Sequence, residues 1–257
     1  MLWLMRLDVY LSDSGLCSSR TDAKSFIVGG AVTVNGRVVT KPSLSVEDGD
    51  SVKVNTDFKR FVSRGGIKLD AALLEFGVSV EGKRCIDVGA SSGGFTDCLL
   101  QHGACEVIAV DSGSGQLAEA LRADGRVTVI ENYNARYMKR EDFGFSPEIA
   151  VMDVSFISAT YIIPSLSEVL SAGAEFICLI KPQFEVGREK LGKGGIVKDE
   201  KYRREACDKV IGCAQSFGFK HIRTVKSPIQ GGDGNVEFLS YFRRCVNEKG
   251  YNNTEFQ

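Results

Sequence analysis

The sequence from residue 85 to residue 96 constrains the fold more than any other stretch. An apolar run ends at Asp87 and leads into a turn containing Gly89, Gly93 and Gly94, and a helical apolar pattern follows. Glycine lets a backbone turn tightly and approach a ligand closely, and a helix N-terminus presents unpaired N–H groups. A second apolar run ends at Asp111 about twenty residues later, where a carboxylate can bind both hydroxyls of an adenosine ribose. This arrangement predicts an adenosine-type cofactor site at the edge of a parallel sheet.

Strand-like apolar runs alternate with helical patterns through most of the chain. Strands are predicted at 84–88, 106–111, 127–130, 149–153 and 175–180, and helices near 94–102, 115–122, 160–171 and 201–217. This alternation is typical of βαβ units around a buried parallel sheet. Two further strand patterns, 220–225 and 236–243, have no helix between them. We therefore predict a Rossmann-like α/β fold with a mostly parallel seven-stranded sheet and an antiparallel last strand.

The first part of the chain has a different pattern. Two short helical patterns precede Asn35-Gly36, which lies between apolar runs, and a last strand is predicted near 51–54. Asn-Gly supplies the two positive-φ positions of a tight hairpin turn. We expect a small α+β domain over 5–56, a linker over 57–63, an α/β domain over 64–246 and a polar tail over 247–257.

Composition excludes several classes of protein. Lys plus Arg total 32 and Asp plus Glu total 33, so the overall charge does not indicate a nucleic-acid binder. Only a local cluster of basic residues could indicate nucleic-acid binding. The sequence has neither an apolar run of the ~20 residues that a membrane helix needs nor a signal peptide, which predicts a cytoplasmic protein without membrane insertion. The eight cysteines form no Cys-x-x-Cys pair and are interpreted as buried thiols. With two histidines, a His-rich metal site is not expected, and we predict no metal.

The glycine-rich turn differs from that of dinucleotide-binding proteins. Their G-x-G-x-x-G pattern makes room for a pyrophosphate. Here three residues separate Gly89 from Gly93, Gly94 follows directly, and Asp87 precedes Gly89 by two positions. A nearby carboxylate suits a ligand with a cationic amino group and no phosphates, such as S-adenosylmethionine. The alternative is an ordinary strand-turn-helix corner with no ligand.

Four charged residues fall at predicted strand ends or next to predicted elements: Lys68, Asp153, Lys181 and Glu237. Ligands of open parallel sheets bind beyond the carboxyl ends of the strands. A ribose hydroxyl is a weak acid, and a lysine amine can accept its proton if burial or a second cation lowers the pKa of that lysine. We predict that Lys181, beside Lys68, aids this deprotonation. The alternatives are separate surface ion pairs or, less favoured, a divalent metal on Asp153 and Glu237.

Six segments resemble the TlyA family of FtsJ-like methyltransferases: 63–69, 87–97, 115–117, 153–157, 179–185 and 195–198. The resemblance implies a ribosomal-protein-like RNA-binding domain before the methyltransferase domain. It also implies S-adenosylmethionine-dependent 2′-O-methylation of cytidine in ribosomal RNA (23S and, in some members, also 16S). By motif, the catalytic residues would be Lys68, Asp153, Lys181 and Glu237. The cofactor-binding residues would be Asp87, Gly89, Ala90, Ser91, Gly93, Gly94, Phe95, Asp111, Asn134 and Asp153.

A group of basic residues is predicted to contact RNA phosphates: Arg6, Arg20, Lys24, Arg37, Lys41, Lys59, Arg60 and Arg64. The expected partner is ribosomal RNA or a ribosomal subunit rather than DNA. The alternative for these residues is a solvated helix face. The basic segment 181–204 is interpreted as either a mobile flap over the bound nucleotide or an ordinary long loop.

Two functions of other classes compete with this interpretation. Some TlyA relatives carry the label haemolysin, so one rival is a membrane-lytic protein; the sequence has no sustained basic amphipathic helix to support it. The other rival is a non-catalytic ribosomal RNA-binding or assembly factor, against which the four charged rim residues argue.

Overall fold

A computed structural model describes residues 4–28, 30–55, 61–231 and 234–245. The predicted linker 57–63 lies partly outside the described residues, and the predicted tail 247–257 lies wholly outside them, as do Lys59 and Arg60.

The N-terminal unit has two helices packed on short antiparallel strands. Its elements are β1 (Met5–Arg6), α1 (Leu7–Asp13), α2 (Arg20–Val28), β2 (Val32–Val34), β3 (Arg37–Val39), β4 (Ser45–Val46) and β5 (Val52–Val54). The predicted hairpin forms, with positive φ at both Asn35 and Gly36. Strand β2 pairs with β3 and β5, while β1 pairs with β4, a two-residue contact that the sequence did not predict. Leu7, Leu11 and Ile27 are fully buried between the helices and strands.

The larger unit is built on a seven-stranded sheet, which confirms the predicted fold. Its strands are β6 (Arg84–Val88), β7 (Glu106–Val110), β8 (Val127–Ile130), β9 (Ile149–Met152), β10 (Glu175–Ile180), β11 (Phe219–Lys226) and β12 (Phe238–Arg244). They lie in the order β11-β12-β10-β9-β6-β7-β8. The pairs among β6 to β10 are parallel, and β12 runs antiparallel to both β10 and β11. The carboxyl ends of the parallel strands and the start of β12 therefore share one rim.

Helices cover both faces of this sheet. They are α3 (Arg64–Phe76), α4 (Gly94–Gln101), α5 (Glu119–Arg122), α6 (Ile163–Val169), α7 (Pro182–Glu185) and α8 (Glu200–Ser216). Alternate residues of β9 enter two separate cores: Val151 packs with Leu69 and Leu99 on one face, and Met152 packs with Leu166 on the other. Burial on both faces explains why the parallel strands are continuous apolar runs.

Two predicted helices are shorter than the sequence indicated. The helix predicted over 115–122 is confined to α5: Gly115 has a φ of +67° and Ala118 a ψ of 137°, and neither angle belongs to a right-handed helix. The helix predicted over 160–171 begins as a 3₁₀ turn, Ala159–Tyr161, and becomes α6 with a proline in its first turn. Proline is tolerated there because the first N–H groups of a helix have no partner within it.

Candidate active site

A cleft of about 370 Å³ opens at the carboxyl ends of β6, β7 and β9. Its lining includes Gly89, Ser91, Asp111, Asn134 and Asp153 from the predicted cofactor set. The loop after β6 passes so close to the end of β9 that a Cβ on Gly89 would lie 2.5 Å from the Asp153 carbonyl oxygen. Gly89 also has a φ of +86°, so both space and conformation require glycine here.

Asp111 is oriented by the backbone around it. Its Oδ2 accepts a hydrogen bond from the Ser91 N–H and its Oδ1 accepts one from the Gly113 N–H, both at 2.7 Å. Each carboxylate oxygen has further acceptor capacity. The carboxylate is thus held in the cleft in a fixed position and could still accept hydrogen bonds from two vicinal hydroxyl groups.

Asp87 occupies a different environment from the one its motif suggests. Its side chain is fully buried beneath the loop, and Thr96 Oγ1 donates a 2.7 Å hydrogen bond to Oδ2. Oδ1 is buried without a hydrogen-bond partner among the described residues. Burial raises the pKa of the Asp87 carboxyl to about 7. Asp87 therefore supports the loop from below, and its unsatisfied oxygen fits a site that is completed by a polar ligand or water.

A second, smaller cavity of about 150 Å³ adjoins the cleft. It is lined by Ala90, Gly94 and Phe95 of the predicted cofactor set and by Lys181. Gly89, Ser91, Asp153 and Ser155 line both cavities. Gly93 serves packing instead, since a Cβ there would lie 2.3 Å from Leu121 Cδ1.

The four charged residues form two ion pairs at the rim. Lys181 Nζ lies 2.6 Å from Asp153 Oδ1 and donates a 2.7 Å hydrogen bond to Ser155 Oγ. Lys68 Nζ lies 2.5 Å from Glu237 Oε2, and both of these side chains are buried. Ile180 pairs with Phe238 across β10 and β12, so Lys181, just after the end of β10, and Glu237, just before the start of β12, lie at the same edge of neighbouring strands. Each lysine thus lies within ion-pair distance of one carboxylate, and the placement of Lys68 beside Lys181 stays a prediction.

Several residues at this site were not predicted. Ser155 binds Lys181, and Gln116 and Tyr133 line the cleft. Phe156 is 92% exposed and has a φ of +63°. Ser155 and Phe156 lie two and three positions after Asp153 in the sequence, and this proximity was the available signal.

The predicted RNA-contacting residues divide by their surroundings. Arg6 donates to the fully buried Asp8 through Nε at 2.9 Å and Nη2 at 3.2 Å, and Arg20 Nη2 donates to Asp8 at 3.2 Å. The Arg6 guanidinium holds the pKa of the Asp8 carboxyl at about 2. Lys24, Arg37 and Lys41 are exposed, and Arg64 is half-buried at the start of α3.

Segment 181–204 has local structure of its own. It contains α7 and two 3₁₀ turns, and the buried Asn235 accepts a hydrogen bond from the Val197 N–H and donates one to the Gly195 carbonyl. Lys190 pairs with Glu205 of α8. These contacts anchor the segment to its surroundings.

Comparison with known proteins decides the family. The model of the FtsJ-like methyltransferase family matches residues 61–244, and that of the S4 domain matches residues 5–52. The 16S/23S rRNA (cytidine-2′-O)-methyltransferase TlyA of Mycobacterium tuberculosis is 42% identical over 250 residues, 95% of this chain and 93% of that protein. The chain belongs to the TlyA family of FtsJ-like methyltransferases.

Other members of the TlyA family carry a different name. Hemolysin A of Brachyspira hyodysenteriae is 46% identical over 243 residues, which cover 93% of this chain and 99% of that protein. A solved structure from Streptococcus thermophilus, also named as a hemolysin, has a TM-score of 0.74 and 43% identity, covering 94% of this chain and 89% of that one. Among the described residues of this TlyA-family chain, no helix has the length and apolar character needed to cross a membrane.

Proposed function

We propose that this protein transfers a methyl group from S-adenosylmethionine to the 2′-hydroxyl of a cytidine in ribosomal RNA. The observation that carries the proposal is the position of Lys181 and Asp153 where the larger cleft meets the smaller cavity. A donor in the cleft and a ribose in the cavity would meet at these two side chains. The names of the M. tuberculosis relative and the family support the reaction class.

The residues of the cleft suit an adenosine-containing donor. Bound S-adenosylmethionine would supply an electrophilic methyl group on its sulfonium. Asp111 would accept hydrogen bonds from the ribose hydroxyls of the donor, and Gly89, without a side chain, would border the donor with its backbone. Asp87, below the loop, would hold the backbone that faces the cationic amino group.

Lys181 has the main role in our proposal for the chemistry. As the ribose oxygen attacks, its O–H bond breaks, a C–O bond forms to the methyl carbon and the methyl–sulfur bond breaks. Lys181 Nζ, positioned by Asp153 and Ser155, would hydrogen-bond the 2′-oxygen and, in its neutral form, take the proton. We propose that Lys68 and Glu237 position the rim, since their buried pair joins α3 to the start of β12.

The test is transfer of tritiated methyl groups to 30S subunits, 50S subunits and free ribosomal RNA from cells that lack this protein. We expect Lys181→Ala to reduce transfer at least about hundredfold, the scale of lost acid–base catalysis, while calorimetry shows unchanged S-adenosylmethionine affinity. Lys220→Ala, an exposed lysine on β11, is the matched control and should retain full activity.

The position of the label tests the chemistry directly. A 2′-O-methyl group protects the adjacent phosphodiester from alkaline cleavage, so the labelled position should appear as an alkali-resistant cytidine dinucleotide. Label on a base, or equal transfer by wild type and Lys181→Ala, would overturn the proposal. A ribosomal substrate would place the activity in the cytoplasm, and comparing the two subunits would show which one is modified.

A further inference from the structure

A third opening lies beside the cofactor cleft. It encloses about 660 Å³ and shares Phe156 and Ile157 with the cleft. We call it the aromatic groove; its lining is Arg136, Phe156, Ile157, Ser158, Tyr161, Phe184, Glu185, Val186, Gly187 and Lys209. Phe156 borders the groove and the cleft, and its neighbour Ser155 lines the smaller cavity that we propose for the ribose.

Two of the aromatic side chains that line the groove are unusually exposed, and Phe184 is half-buried. Phe156 is 92% exposed and Tyr161 is 63% exposed. The Phe156 ring touches that of Phe184, with centroids 5.2 Å apart. Phe156 also has a φ of +63°, which is strained for a bulky residue. Strain and apolar exposure combined at one residue on the active rim indicate a surface shaped for a ligand.

The charge of the groove favours a phosphate-bearing ligand. Glu185 is buried and neutralised, since it accepts hydrogen bonds from Ser158 Oγ and the Ala159 N–H, and Lys209 Nζ lies 3.2 Å from it. The positive charge of Lys209 therefore balances the negative charge of Glu185. The exposed Arg136 adds a further positive charge, so the groove has a net positive charge. Guanidinium groups bind phosphates well because they present several N–H donors in one plane.

We propose that the aromatic groove binds an unpaired RNA base adjacent to the methylated nucleotide, stacked against Tyr161 and Phe184, with its phosphate on Arg136. The inference rests on the proposed function and assigns a second nucleotide subsite to the same RNA. Proteins that act on RNA loops stack splayed-out bases on aromatic rings, and this contact tolerates any base. A protein segment would be a poorer match, since the groove combines flat aromatic faces with a cation.

The first test compares single-residue variants on an RNA that the wild-type protein methylates. We expect Tyr161→Ala to raise the KM for RNA about tenfold, within the range expected for one stacked base, without changing S-adenosylmethionine affinity. Tyr161→Phe keeps the ring and should restore the KM. Phe217→Ala removes an exposed ring at the end of α8 and serves as the control.

The second test removes the base rather than the ring. In a short RNA spanning the mapped nucleotide, an abasic position at the neighbour should raise the KM of the wild type about as much as Tyr161→Ala does, and the two changes combined should add nothing further. Full additivity, or equal KM values for Tyr161→Ala and Phe217→Ala, would overturn the inference.

These outcomes distinguish a failure of the proposed base subsite from a failure of the proposed function. If the wild type transfers no methyl group to any RNA, the proposed function fails. If it methylates RNA but every neighbouring abasic position is tolerated, only the subsite fails. A Tyr161→Ala defect seen with intact subunits but not with naked RNA would assign the groove to a ribosomal protein and would also reject the base-stacking proposal.

Discussion

At the scale of single residues, Asp87 shows how a motif carboxylate can differ from its expected role. Burial removes the water around the Asp87 carboxyl, and the Thr96 hydroxyl donates a hydrogen bond to Oδ2 while Oδ1 has no partner among the described residues. Ionising this carboxyl therefore costs free energy. Burial is the largest cause of its raised pKa, the Thr96 hydrogen bond partly opposes it, and the Asp153 charge adds to it. The position therefore favours a protonated side chain below about pH 7.

This environment predicts a pH-dependent effect of Asp87→Asn on the protein without its cofactor. An unfolded aspartate titrates near pH 4, whereas the folded carboxyl titrates at about 7. Between these values the folded state binds the extra proton, so stability falls as pH rises through that window. Asparagine has the shape of the neutral acid and does not ionise. We expect Asp87→Asn to melt above the wild type at pH 8, with a smaller difference at pH 5.

Thermal denaturation at both pH values measures the effect. Asp208→Asn, an exposed carboxylate on α8, is the control and should show the wild-type pH dependence. A constant difference between Asp87→Asn and the wild type across this pH range would contradict the assignment.

At the scale of elements, the N-termini of α3 and α4 meet with almost no space between them. A Cβ on Gly94 would lie 2.2 Å from Ser63 Oγ and 2.9 Å from the Gly66 nitrogen. In the same way, a Cβ on Gly66 would lie 2.2 Å from the Phe61 ring. The glycines of these motifs thus let two helices and an aromatic ring pack together beside the small cavity. Gly94 lines that cavity as well, so it serves both packing and the site.

Gly94→Ala should therefore destabilise the protein by about 1–3 kcal/mol through overpacking. Gly212→Ala is the matched change, because Gly212 is exposed within α8 and has nothing within 4 Å of its added Cβ in the described part of the chain. It should stabilise by about 0.5–1 kcal/mol, since alanine loses less backbone entropy in a helix. Urea denaturation of the two variants gives both values. Equal effects would show that helix propensity, and not the close contact, controls position 94.

At the scale of the whole molecule, charge is distributed unevenly although the chain carries a formal net charge of −1. The N-terminal unit, which the S4 model matches, exposes Lys24, Arg37 and Lys41. Arg6 and Arg20 each use part of the guanidinium to pair with Asp8 and remain about half exposed. We expect the exposed members to contribute most to the salt dependence of RNA binding.

Replacing both Arg37 and Lys41 by alanine should reduce the slope of log affinity against log salt by about two, roughly one for each lost phosphate contact. Binding of a ribosomal RNA fragment across a salt series measures the slope. Lys220→Ala, at the start of β11 and at the rim opposite the site, should leave it unchanged. An unaltered slope in the double variant would assign these two residues to a solvated face.

Local sequence patterns are enough to predict the strands, their mainly parallel arrangement and the rim where the charged residues lie. A buried parallel strand must be apolar on both faces, so it appears in the sequence as a continuous apolar run. The carboxyl ends of neighbouring parallel strands lie at the same edge of the sheet, so residues that follow these runs lie at that edge. The strand pattern alone therefore places Asp153, Lys181 and Glu237 at one rim.

The tertiary structure alone decided which of these groups contact one another. Lys68 and Glu237 are 169 positions apart, and no local pattern indicates that they pair while Lys181 pairs with Asp153. The same holds for the burial of Asp87, the exposure of Phe156 and the pairing of Arg6 and Arg20 with Asp8. Such contacts depend on how distant segments pack, and packing distances of a few ångströms are not encoded in the periodicity of any single element.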